Sequence, residues 1–297
     1  MIPVFADPRT DFVLKKIFGA VERKPLLITL LNHLLELEGE HRTLEQHVAV
    51  PELKLSIVDV KCTEASGRRF VVEMQSARVE GIEKRIVYNA SKAYVMQLRS
   101  AEEYPTLCDV VGVTICNFKL WPSKLKNGHF KVPTLSRWRM QEQHSKKVGL
   151  PQVQYTFLEL PKYAGGDDPQ TMIDKWAYFF REAKNLNVVP PALSEGPFRE
   201  ALDVARTASF SPAEWEAYDR AKMAEQDARG ALAVAHEEGR AEQAARAVLT
   251  VLRVCGVAVP DTARERILAQ MDPERLERWL EKAAVAASVD EVLNESS

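Results

Sequence analysis

The chain has 297 residues, 46% of them hydrophobic and 28% charged, with a net charge of −2, the balance of a soluble globular protein with room for a core domain plus an appendage. Four cysteines at 62, 108, 116 and 255 lie far apart with no C-x-x-C pair, so neither a zinc knuckle nor a disulfide framework is indicated. No apolar run approaches the ~20 residues of a membrane span, and the start, Met1 to Arg9, has an early acid and two prolines where a signal peptide would be basic and then apolar. The expected setting is the cytoplasm, with free thiols and no membrane partner.

Charge is unevenly distributed. Residues 1–162 hold 24 Lys and Arg against 18 Asp and Glu, whereas residues 163–297 hold 16 against 24. The amino-terminal part is therefore the better partner for a polyanion.

In chain order, Thr10 to Phe18 reads as a helix capped by Thr10 or Asp7 and stopped at Gly19. Asp11, Lys15 and Phe18 share one of its faces, where the plain reading of Asp11 and Lys15 is an i,i+4 ion pair worth ~0.3 kcal/mol. Pro25 to Glu36 is a second helix with a wide leucine stripe, a scaffold element. His33, His41 and His47 show no spacing that would make them metal ligands.

Leu53 to Ser76 reads as a β-hairpin: an apolar run to Val60, a turn at Ala65-Ser66-Gly67, and a second run from Phe70. If the pairing is centred on Ser66, opposed residues sum to 132, so Asp59 faces Glu73 and Ile57 faces Gln75; a bulge at Gly67 would shift this by one. Strand side chains alternate, so Asp59, Glu73 and Gln75 then share a face with opposed Cβ atoms about 5 Å apart. Two facing carboxylates repel and persist either by sharing a proton or by holding a cation, and open oxygen positions suit Mg²⁺. One acid per strand also often just faces solvent, but Val58 to Val60 and Val71 to Met74 are apolar on both sides, so charges there need a reason.

Ile82 to Arg99 reads as a helix with Ile82, Ile86, Ala90, Ala93 and Val95 or Leu98 inward, leaving Arg85, Tyr88 and Lys92 as a second stripe. Asp109 to Phe118 is a buried strand. Lys119 to Lys147 carries eight Lys or Arg against one acid, with Trp121, Phe130 and Trp138 interleaved, a pattern that suits either nucleic-acid contact or a solvated hairpin with buried aromatics. Val153 to Leu160 is expected to close the sheet. A helix follows Pro169 with Met172, Trp176, Phe179 and Phe180 inward, and the proline-rich loop 187–197 is the expected domain boundary.

Ser211 to Glu214 is a capping box that starts a long Ala-, Glu- and Arg-rich helix. Caps at Asp261 and Asp272 start two more helices. The resulting division is residues 1–186, a linker with a short helix over 187–211, a long helix over 212–255 and a small helical domain over 256–297, expected to serve regulation or homo-oligomerisation.

Asp59, then Val72-Glu73-Met74-Gln75, preceded by the segment Thr10 to Gly19 and followed by Arg85-Ile86-Val87-Tyr88, Tyr104 to Leu107 and Leu158-Glu159-Leu160-Pro161-Lys162, resembles the recombination-promoting nuclease or putative transposase family of the PD-(D/E)XK nuclease superfamily. The resemblance covers roughly residues 7–162 and also extends to the small helical domain often found behind such nucleases. It implies an α/β fold, a restriction-endonuclease-like mixed sheet flanked by helices, followed by an all-α region. It further implies a DNA endonuclease with Asp59, Glu73 and the Met74 carbonyl around Mg²⁺ (or another divalent metal), with Gln75 and Asp11 as further catalytic groups, and with Lys15, Arg85, Tyr88 and Lys92 on DNA. Gln75 stands where the motif usually has lysine; an amide orients water but brings no positive charge. Val58 replaces the motif's proline. The alternative is a catalytically weak DNA-binding or protein-interaction module of a mobile-element or defence system.

Overall fold

The computed structural model describes residues 3–35, 44–45, 60–64, 66–98 and 103–294. Residues 1–225 and 226–297 form two compact units.

The first unit is a mixed sheet between helices. Among the described residues the sheet has six strands in the order β1-β2-β3-β4-β6-β5: β1 Leu44–Glu45, β2 Val60–Glu64, β3 Arg69–Gln75, β4 Val110–Cys116, β5 Leu135–Trp138 and β6 Val153–Glu159. β2 and β3 form an antiparallel hairpin whose partners are Val60↔Val72, Lys61↔Val71, Cys62↔Phe70 and Thr63↔Arg69. Every pair sums to 132, the register expected for a hairpin centred on Ser66. Gly67, at φ 87, provides the left-handed turn, and a Cβ there would lie 2.4 Å from the Cys108 sulfur. Asp59 and the earlier part of the expected strand lie outside the described residues.

β3 and β4 are parallel, and β4 and β6 are parallel. The β3–β4 crossover is made by α3, Ile82–Val95, as parallel pairing requires. β4 is buried along all seven residues, as its unbroken apolar character demands. β6 does not close the sheet as expected: β5, which arises from the basic stretch, pairs antiparallel with it and forms the edge. Trp138 lies opposite Tyr155, and its ring stacks on Trp121 at 4.6 Å, which anchors this short strand.

The sheet's two faces differ. Val60, Cys62, Phe70, Val72, Met74, Val111, Val113, Ile115 and Leu158 point to one side, into the main core. There they meet α1 Asp11–Phe18, α2 Lys24–Leu35, α4 Met172–Glu182 and α5 Gly196–Val204. Each fully buried Leu, Val or Phe contributes ~1.5–3 kcal/mol. Thr10 caps α1 and Gly19 ends it, as expected. Met172, expected inward, is 48% exposed; it occupies the first turn of α4, before the helix face carrying Trp176, Phe179 and Phe180 meets the core. Val95 is 66% exposed because α3 ends there. The stretch 187–211, expected as a linker, sends Leu193, Phe198, Ala201, Leu202, Ala205 and Phe210 into the same core.

The long helix α6, Pro212–Val254, starts on the expected capping box, with Ser211 N–H donating to Glu214 and Glu214 N–H to the Ser211 hydroxyl. In the second unit its later residues Ala241, Ala245, Val248 and Leu252 share a small core with α7 Asp261–Leu268, α8 Pro273–Ala283 and α9 Val289–Leu293. Asp272 caps α8. No described helix is long and apolar enough to cross a membrane.

Candidate active site

On the other face of β3, alternation brings Val71, Glu73 and Gln75 to one side, under α3. The helix comes close because β4 offers Gly112 there: a Cβ at that residue would lie 3.3 Å from the Tyr155 ring and 3.6 Å from Ala90 Cβ. Close approach sets polar groups of α3 directly on the strand's acid.

Glu73 is 4% exposed. Asn89 Nδ2 donates to its Oε1 at 2.6 Å, and Gln75 Nε2 donates to its Oε2 at 3.0 Å. Gln75 is buried as well, and its Oε1 accepts from the Arg85 guanidinium. An unbroken line therefore runs Asn89, Glu73, Gln75, Arg85. Spacing explains it: Arg85 to Asn89 is one helical step of about 6 Å, and Gln75 back to Glu73 is two strand residues, about 6.6 Å. A helix running antiparallel to β3 meets both at once.

Burial raises the Glu73 carboxyl above the usual carboxylate range, against the opposing pull of Asn89, Arg85, Gln75 and Lys61. Lys61 shares this face, since it pairs with Val71. Its amine is held below the usual lysine range by burial and by the charge of Lys92, and Glu73 draws it back upward. Two cationic side chains, Arg85 and Lys61, thus act on one buried acid, and Lys92 acts on Lys61.

At the carboxyl ends of β3 and β4, the Arg9 guanidinium donates to the Asn117 side chain at 3.0 Å and is clamped by Asp7 at 2.8 Å. Asn117 N–H in turn donates to the Gln75 carbonyl at 2.9 Å. This buried pair fixes the chain just ahead of α1 against the end of the site strand.

The residues expected at the site thus fall into distinct positions. Glu73, Gln75 and Arg85 come together, and Lys92 acts electrostatically on the neighbouring Lys61. Tyr88 is 48% exposed on α3. The Met74 side chain lies in the core on the opposite face. Asp11 is exposed and pairs with Lys15 at 2.8 Å, the plain i,i+4 arrangement. Asp59 lies outside the described residues. Asn89 and Lys61 were not singled out from the sequence. Asn89 was legible as the residue four places after Arg85, and Lys61 as the residue opposite Val71.

A family model described as PD-(D/E)XK nuclease family transposase matches residues 8–235. The chain belongs to the PD-(D/E)XK nuclease family transposases. No curated protein and no solved structure matches it. For this nuclease-family transposase the mixed sheet flanked by helices is the restriction-endonuclease-like α/β fold, and a role in nuclease chemistry tied to transposition or recombination follows from membership.

PD-(D/E)XK nucleases generally use divalent metals, and the donor chemistry of Glu73 fits one. A carboxylate offers about four lone-pair positions, of which Asn89 and Gln75 occupy two. Hard oxygen donors of this type suit Mg²⁺. Among the described residues no three His, Cys, Asp or Glu gather into a metal-binding group.

Proposed function

We propose that the protein is a metal-dependent DNA endonuclease. The observation that supports it best is Glu73: a carboxylate buried on the sheet, held by two neutral amides and under the charges of Arg85 and Lys61. A fold maintains such an acid against its burial cost only when something compensates it.

In this reading Glu73 binds Mg²⁺ together with Asp59, and the Met74 carbonyl is a third donor. Asp59 is proposed because the expected register pairs it with Glu73, and the four described pairs of the hairpin follow that register. A bound divalent ion would polarise the scissile phosphate and lower the pKa of a water. Arg85, Tyr88 and Lys92 on α3, with Lys15 on α1, hold the DNA backbone, and Asp11, ion-paired with Lys15, is the further carboxylate of the site. The setting is cytoplasmic, and the helical carboxyl-terminal unit serves homo-oligomerisation.

The test is nicking of supercoiled plasmid with Mg²⁺ or with EDTA, by the wild type, Asp59→Ala and Glu73→Gln. Metal-dependent nicking lost in both variants is expected. Equal inertness of all three proteins, with plasmid still retarded on a gel, would leave DNA binding without cleavage.

A further inference from the structure

We propose that Gln75 is a positioning residue that holds the Arg85 guanidinium at the mouth of the site, where Arg85 grips the phosphate under attack. This rests on the endonuclease reading above for the identity of the ligand.

The geometry assigns each amide atom a task. Gln75 Nε2 faces Glu73 Oε2 at 3.0 Å and its Oε1 faces Arg85, so the amide orientation is set from both ends. A carboxamide is an uncharged group that can donate to an anion from one atom and accept from a cation at the other. Were the guanidinium paired directly with Glu73, its fork would engage both carboxylate oxygens and consume the positions a metal needs. With the amide between them, Glu73 spends one lone pair on Gln75 and Arg85 spends one N–H of its five. The remaining N–H groups form a planar fork suited to two phosphate oxygens.

Location agrees. Gln75 is 6% exposed while Arg85 lies in an exposed part of α3, so the line leads from the buried acid outward. Asn89, one helical turn further along, holds the other oxygen of Glu73 and fixes α3 against sliding relative to β3. The positive charge absent from residue 75 is thereby supplied from the helix.

The experiment is a double-mutant cycle on the full chain with Gln75→Ala, Arg85→Ala and the double variant. It is read first as affinity for duplex DNA in Ca²⁺, then as kcat and KM for plasmid nicking in Mg²⁺. In Ca²⁺, Arg85→Ala is expected to weaken binding ~10-fold in the wild-type background and less than ~3-fold in the Gln75→Ala background, because contacting residues are coupled. In Mg²⁺, each single variant is expected to lose roughly 10²-fold in kcat, with KM rising by no more than the affinity lost in Ca²⁺, and the double variant little more. Arg85→Lys keeps charge without the fork and should recover affinity but not kcat. Equal Arg85→Ala losses in both backgrounds, or kcat losses that multiply, would overturn the proposal. A wild type that binds but never nicks removes the endonuclease reading alone, since coupled binding losses would still place Gln75 behind Arg85. A wild type that neither binds nor nicks removes both.

Discussion

Asn89 donates to Glu73 at 2.6 Å across sixteen residues of sequence, so the crossover helix holds the acid of the strand it follows. Removing the amide leaves a buried carboxylate with one donor fewer, a loss of ~1–3 kcal/mol. Asn89→Ala should therefore lower the melting temperature by roughly 2–4 °C for each kcal/mol lost. Thermal unfolding followed by circular dichroism checks this, and an unchanged midpoint would mean that water replaces the amide.

Asp7 gives the acid limb of stability. Burial pushes its carboxyl up, but the hydrogen bonds and charge of Arg9, with Lys184 adding to them, outweigh burial and hold it below 3.8. The folded chain then binds fewer protons than the unfolded chain, so the contribution is complete above about pH 4 and fades as pH falls through the lowered value. Asp7→Asn should flatten stability against pH in that window, and Arg9→Met should cost ~3 kcal/mol at neutral pH by leaving a buried acid poorly paired. Urea unfolding from pH 3 to 7 measures both.

Gly112 sets the distance between α3 and the sheet. A valine there presses on the Tyr155 ring, 3.3 Å from the position of its Cβ, and its two methyl groups add volume where Ala90 is already in contact at 3.6 Å. Overpacking of this kind costs ~1–3 kcal/mol. The larger effect is expected on function: Gly112→Val should reduce nicking and DNA affinity at temperatures where the chain is still folded, because Asn89 and Arg85 move with the helix.

The thiols should separate by burial. Cys62 and Cys116 are pushed up to about 12 by desolvation, aided by Glu64 for the first and Glu159 for the second. Cys255 is exposed. An aromatic disulfide reagent at pH 8 should modify Cys255 rapidly and leave Cys62 and Cys116 untouched until denaturant is added. Fast labelling of Cys62 in the native protein would show that the hairpin opens.

Features governed by near neighbours were legible in the sequence. The caps at Thr10, Ser211 and Asp272 involve partners two or three residues away, and the hairpin register follows from its turn. Features governed by distant partners were not. Leu135–Trp138 is too short, within a basic stretch, to announce a strand, and becomes one through β6 and the Trp121 ring. Residues 187–211 look like a linker because of their prolines, while their apolar side chains find α2 and α4 only in three dimensions. Asn89 reads as part of a polar helix face until Gly112 lets that face touch the sheet. Glu159 and Lys162, recognisable as part of a motif, turn out to form a fully buried pair at 2.6 Å. Glu159 also accepts the backbone N–H groups of Leu120 and Trp121, so the pair fastens the basic stretch to the sheet.

The line of contacts from Asn89 to Arg85 also rewrites how the site is spelled. A two-letter signature, Glu-x-Gln, is common enough in any proteome to mean little. Here it is half of a longer word, Glu73-x-Gln75 followed after nine residues by Arg85-x-x-x-Asn89, in which a strand period of two is matched to a helix period of four. An insertion or deletion of one residue within α3 between Arg85 and Asn89 would break the match, whereas one in the loop between Ser76 and Gly81 would leave it readable. Length variation at this site is therefore permitted in one place and forbidden a few residues later.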